Sequence, residues 1–129
     1  MNEIDLVNFH YLSLFRRRAC RLFYRSCQEE RRRKGLCLLR GWLTPQQRAQ
    51  FDGKGYFEVV GSDTGTRYRI RHGTSANVRE VDASGRLGMG WCFVPVGELI
   101  EGDVMLVQKI ALETSELETL AIAKNFYGW

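Results

Sequence analysis

Between about Glu3 and Arg33 apolar and polar positions recur with a helical period. At about 100° per residue, Ile4, Tyr11, Leu12, Phe15, Ala19, Leu22 and Phe23 gather on one side, and Arg17, Arg21, Arg25, Gln28 and Arg32 gather near the opposite side. The pattern predicts a long amphipathic helix with a cationic back and an apolar side laid on the rest of the fold. Val7 and Leu14 break the division, so the apolar side is broad or the helix meets a second surface. Gly35 reads as the helix end, because it follows Arg31, Arg32, Arg33 and Lys34, whose charge complements the C-terminal end of a helix dipole. Leu36 to Leu43 then reads as a short apolar bridge. In Thr44-Pro45-Gln46-Gln47, Thr stands as N-cap, Pro at the first helical position and Gln at N3, which opens a second, short helix. It should end near Phe51 or Asp52, since Gly53 and Gly55 bracket Lys54.

The period then changes to two. Tyr56 to Val60, Arg67 to Arg71, Asn77 to Val81 and Leu87 to Val94 read as strands, divided by turn-rich segments such as Gly61-Ser62-Asp63-Thr64-Gly65 and Asp82-Ala83-Ser84-Gly85. Short connections make sequential strands antiparallel neighbours, so a four-stranded meander is the expected sheet. Pro95 closes the last strand or leaves it at an edge. From Asp103, a candidate N-cap, the density of Val104, Met105, Leu106, Val107, Ile110, Ala111 and Leu112 predicts a well-buried helix. Ser115 and Glu118 offer a further capping box, hence one C-terminal helix or a pair. The expected fold class is α+β, a single domain over residues 1–129 with a basic helical part at 1–55, an antiparallel sheet at 56–95 and a helical part at 96–129.

A chain of 129 residues, 44% of them apolar, can bury one core without staples. Charge divides unevenly along it. Residues 1–55 hold twelve Lys and Arg against five acids, a net of +7, whereas residues 56–129 hold seven against ten, a net of −3. A basic first half suits an anionic partner, whether nucleic acid, a lipid surface or an acidic protein. Cys20, Cys27, Cys37 and Cys92 include no C-x-x-C pair, and His10 and His72 alone could supplement them, so neither a metal nor any other cofactor is expected. Cys20 and Cys27 sit about 10 Å apart along a helix, too far for a disulfide, which leaves reduced thiols in a cytoplasmic protein as the expectation. Glu3 and Asp5 are unlike the start of a secretory signal, and no apolar run has the length of a membrane span.

Arg17 to Arg32 covers about 22 Å of helix, long enough to follow several phosphates, and the bland alternative is a solvated face. Nothing supplies base readout: zinc-finger, RNP and helix-turn-helix signatures are absent. A lipid surface ranks lower for the same helix, because Phe9, Phe15 and Phe23 would have to serve lipid while their side covers the sheet. In Arg67-Tyr68-Arg69-Ile70-Arg71, alternation puts three arginines on one face, about 7 Å apart, to grip phosphate or carboxylate or to pair with Glu58, Glu80 or Asp82. Cys92 with His72 is the one nucleophile and base pair to consider, and a buried structural thiol explains Cys92 better, so no catalytic residue is assigned. Phe126, Tyr127 and Trp129 make an aromatic end that must pack back on the core or into a protein partner.

Tyr68-Arg69-Ile70-Arg71, Asn77-Val78, Cys92-Phe93-Val94-Pro95 and Gly102-Asp103-Val104-Met105-Leu106-Val107-Gln108-Lys109-Ile110-Ala111-Leu112-Glu113 lie in a stretch, Tyr56 to Ala123, that resembles a set of small uncharacterised bacterial and phage-associated proteins. The resemblance covers about half the chain and implies a prokaryotic setting, with no mechanism and no site residue. The expected function is a non-enzymatic binding module that meets an anionic macromolecule, nucleic acid or a nucleoprotein, through Arg17, Arg21, Arg25 and Arg32, with Arg67, Arg69 and Arg71 as a second contact. The alternative is a protein-interaction or inhibitor subunit, related to phage or host defence, that binds through Phe126, Tyr127 and Trp129 or through a sheet edge.

Overall fold

The computed structural model describes residues 3–127, and side chains from Arg16 onward. The fold is α+β. Helices α1 (Glu3–Trp42) and α2 (Pro45–Lys54) precede strands β1 (Tyr56–Val60), β2 (Arg67–Arg71), β3 (Val78–Val81) and β4 (Leu87–Cys92). Helices α3 (Glu101–Thr114) and α4 (Glu116–Ile122) and strand β5 (Lys124–Phe126) follow. The antiparallel sheet has five strands in sequence order rather than the expected four, because Lys124–Phe126 adds itself to β4. The chain divides into two compact units at the junction of Arg33 and Lys34.

In the second unit the core lies between one face of the sheet and the helices. Alternation in β1 and β2 sends Phe57, Val59, Tyr68 and Ile70 inward, where Val78, Met105, Leu112, Leu39 and Leu43 meet them. Each such large apolar side chain contributes about 2 kcal/mol by leaving water. Helix α1 does not end at Gly35 but runs on to Trp42, and the stretch expected to be a bridge is its C-terminal part. Gly35, Leu39 and Leu43 stand four residues apart and form the buried stripe, with Leu36 beside it. Gly102 of α3 permits a close approach here, since a Cβ on it would lie 2.3 Å from the Gly35 carbonyl carbon. The two backbones cross there with no room for a side chain on α3.

Helix α2 begins as expected. Thr44 accepts from the Gln47 N–H, and the Gln47 side chain accepts from the Thr44 N–H at 3.0 Å, a complete capping box. It ends two residues beyond Asp52, at Lys54, and is capped by Gly55, whose φ of 74° is the left-handed conformation that glycine adopts without strain. The helix also seals the sheet edge. Gln50 accepts from the Glu58 N–H and Gln47 donates to the Glu58 carbonyl, so two side chains satisfy the β1 groups that a further strand would have bonded.

Polar groups inside this unit are joined rather than isolated. Asn77 and Gln108 exchange hydrogen bonds at 2.8 and 2.9 Å, and their amides also reach the Arg71 and Phe93 carbonyls. Lys109, nearly buried, is held by Glu113. The Glu116 carboxylate accepts from the Asp63 and Thr64 N–H groups, the Thr64 hydroxyl and the Tyr68 phenol, fastening the β1–β2 loop to the start of α4. Burial alone pushes the Glu116 carboxyl up, but the Thr64 and Tyr68 side chains and the loop N–H groups outweigh it and hold it below the usual carboxylate range. Tyr68 is driven the other way, first by burial and then by the carboxylate it faces. Gly61 makes this approach feasible, since a Cβ there would overlap the Glu116 carboxyl. Neither capping expectation in this region holds: α3 starts at Glu101 with Asp103 inside its first turn, and Ser115 makes no side-chain cap bond.

Candidate nucleic-acid interface

The first unit is a helical segment whose described side chains, 16–33, are exposed except for half-buried Gln28. Arg17, Arg21, Arg25 and Arg32 fall within about 80° of arc on it, as the period requires. All four are exposed. Over 16–33 eight arginines stand against Glu29 and Glu30, a net of +6. Glu30 receives Arg33 at 3.3 Å in an exposed pair that contributes little.

The described part of the apolar side of this segment is exposed rather than covered, contrary to the expectation. Leu22, Phe23 and Tyr24 are 66%, 73% and 64% exposed. A shared side of the helical wheel brings Leu22 and Phe23 together but does not by itself bring anything to cover them. The expected partners Ile4, Phe9, Tyr11, Leu12 and Phe15 lie outside the residues whose side chains are described.

On the sheet, Arg67, Arg69 and Arg71 share the face opposite the core, as alternation requires. Glu58 is their paired acid, 3.0 Å from Arg69 and 3.6 Å from Arg67. Arg69 also lies over the Tyr56 ring at 4.0 Å. Of the other acids considered, Glu80 accepts from the Trp91 indole N–H, and Asp82 offers Arg67 its backbone carbonyl. The Asp82 carboxylate is taken up by the Ser84 hydroxyl and the Ser84 and Arg86 N–H groups, which hold it below the usual carboxylate range.

At the C-terminal end, Phe126 is in register with Gly90 and fills the space a Cβ there would take. Tyr127 is 84% exposed, and Trp129 lies outside the described residues. Sequence reasoning missed the place of Phe126 in the sheet and the position of Arg79 beside Arg69; period-two alternation in β3 was the signal for Arg79. His72 is exposed against the Phe51 ring, while Cys92 stands in register with Lys124. Among the described residues no group of His, Cys, Asp and Glu is arranged to hold a metal, and no helix is long and apolar enough to cross a membrane. No protein-family model, no characterised protein and no solved structure matches this chain.

Proposed function

We propose that the protein is a non-enzymatic binding module that holds a nucleic-acid backbone against the arginine-bearing side of α1. One observation carries the reading: Arg17, Arg21, Arg25 and Arg32 are exposed together on one arc of a helical segment with a net charge of +6. Steps of four residues advance the guanidinium groups by about 6 Å each, so a rod of about 22 Å runs beside on the order of ten phosphate charges of a duplex. The planar fork of arginine matches phosphate oxygens in pairs. Contacts of this kind position a backbone and read no sequence. The exposed thiols of Cys20, Cys27 and Cys37 suit a reducing cytoplasm, the setting this reading assigns.

The alternative, a protein-interaction or inhibitor subunit in a prokaryotic or phage context, draws support from the exposure of Leu22, Phe23 and Tyr24 and of Tyr127. Capture from cell extract on the immobilised full chain, with and without nuclease, separates the two. Nucleic acid retained by the wild type and released by nuclease or by R17Q/R21Q/R25Q supports the backbone reading. A protein retained after nuclease, and lost when Phe126 onward is deleted from a chain that still melts cooperatively, supports the alternative.

A further inference from the structure

One stretch of the first unit divides more sharply than the helix as a whole. Over residues 17–28, at about 100° per residue, Arg17, Arg18, Arg21, Arg25 and Gln28 fall within about 100° of arc. The rest of the stretch, which includes Ala19, Cys20, Leu22, Phe23, Tyr24 and Cys27, is uncharged and spans about 200° on the other side. All of these side chains are exposed apart from half-buried Gln28. Arg16 and Glu30 fall back on the uncharged side and bound the pattern, which runs for about 18 Å.

The sequence disfavours a lipid surface for this helix only where its apolar side is taken up by the sheet. Over the described part it is not taken up: Leu22, Phe23 and Tyr24 keep 66%, 73% and 64% of their surface in water. Three features select what covers them. The segment 16–33 carries a net of +6, which repels a second copy of itself and draws an anionic surface. The turn from Leu22 through Phe23 to Tyr24 takes in about 200° of arc, wider than the i, i+3, i+4, i+7 stripe that a protein groove receives, whereas a fluid interface wets the whole lower side of a half-sunk helix. Tyr24 stands at the border of the two arcs beside Arg17, where a ring with a hydroxyl fits between acyl chains and headgroups.

We propose that residues 17–28 of α1 form an interfacial anchor that lies in the surface of an anionic lipid bilayer, with Leu22 and Phe23 among the upper acyl chains and Arg17, Arg18 and Arg25 reaching lipid phosphates from the flanks. Among the described residues no helix is long and apolar enough to cross a membrane, so the anchor lies on the bilayer and not through it. Two or three apolar side chains give only shallow insertion, and arginines alone adhere without entering. Together they give binding that requires both anionic lipid and insertion. The inference rests on the apolar side of α1, which the nucleic-acid reading leaves unused, and does not depend on that reading.

The test is flotation of the full chain with vesicles of phosphatidylcholine, with and without phosphatidylglycerol. Wild type should float with the anionic vesicles and stay behind with phosphatidylcholine alone. L22Q/F23Q should weaken anionic-vesicle binding about tenfold or more, because two large apolar side chains no longer leave water, while duplex binding and melting stay as in wild type. Phe23→Trp puts a fluorophore at the point of insertion, and its emission should shift to the blue and be quenched by acyl-brominated lipid beyond the response of wild type. Unchanged duplex binding in R17Q/R21Q/R25Q would refute the backbone reading without touching this one. Wild type that ignores anionic vesicles would overturn the proposal in favour of an acidic protein surface. Equal vesicle binding by wild type and L22Q/F23Q, or no added quenching in Phe23→Trp, would reduce the contact to adhesion by charge and overturn it as well.

Discussion

Replacing Gly102 with alanine tests the packing of α1 on α3 at its tightest point. The added Cβ would sit 2.3 Å from the Gly35 carbonyl carbon, 2.4 Å from its oxygen and 2.6 Å from the Leu36 nitrogen. All three are backbone atoms inside a helix, so no rotamer change relieves the overlap. Carbon contacts settle at about 3.5 Å or more, so α3 must retreat by about 1 Å. Leu39 on α1 and Met105 on α3 would then lose contact within the core cluster. Overpacking of this kind costs about 3 kcal/mol when neither side yields, and the better helix propensity of alanine returns at most about 1 kcal/mol. The net loss of about 2 to 3 kcal/mol should lower the melting temperature by about 7 to 15 °C. Gly35→Ala is the control. Its Cβ meets the Ile100 side chain, with Cδ1 at 2.5 Å, and that tip can rotate away. Gly35→Ala should therefore stay within about 1 kcal/mol of wild type, because helix propensity offsets the adjustment. Urea unfolding followed by tryptophan fluorescence measures both variants. Equal stability of Gly102→Ala and wild type, or a larger loss for Gly35→Ala, would refute the crossing as described.

Two buried polar systems yield further expectations. Because the folded-state Glu116 carboxyl is held below its ordinary value of 4.5, its contribution is fully present above that pH and is lost as pH falls through the folded value. Glu116→Gln should cost about 2 to 3 kcal/mol at neutral pH and flatten the acid limb of the stability profile, as measured by urea titration across pH; an unchanged acid limb would contradict the assignment. Tyr68, raised above 10.0, contributes stability below that pH which is lost as pH rises past it, so absorbance titration should find one tyrosine that ionises only with unfolding. Gln108→Leu leaves the Asn77 amide and the Phe93 carbonyl without their partner and should destabilise by about 2 kcal/mol in thermal melts, whereas a neutral outcome would mean that the amide pair contributes nothing net.

Local rules make much of the second unit legible in the sequence alone. The Thr44 capping box, the bounds of β1 and β2 and the division of Arg67, Arg69 and Arg71 from Tyr68 and Ile70 depend on neighbours in sequence, and each is found as read. What escaped depends on residues distant in sequence. Gly35 has the local marks of a helix end, but α1 runs on past it to Trp42 with Leu39 buried in the core. Strand β5 has three residues, too few for a period, and pairs because Gly90 leaves room for Phe126. Nothing in the local sequence marks Glu116, and it is the approach of Gly61 and Tyr68 that makes it a buried acceptor. In the candidate interface the arc of arginines was legible from the period alone. The exposure of Leu22 and Phe23 was not, because their place on the apolar side of a helical wheel does not say whether anything covers it.

The backbone-binding account is most directly tested by the salt dependence of duplex affinity for wild type and R17Q/R21Q/R25Q. Four arginines in contact with phosphates should give log affinity a slope of about −3 to −4 against log salt, and the triple variant should flatten it by about 2 to 3. A wild-type affinity that ignores salt, or a variant with the same slope and affinity as wild type, would contradict it.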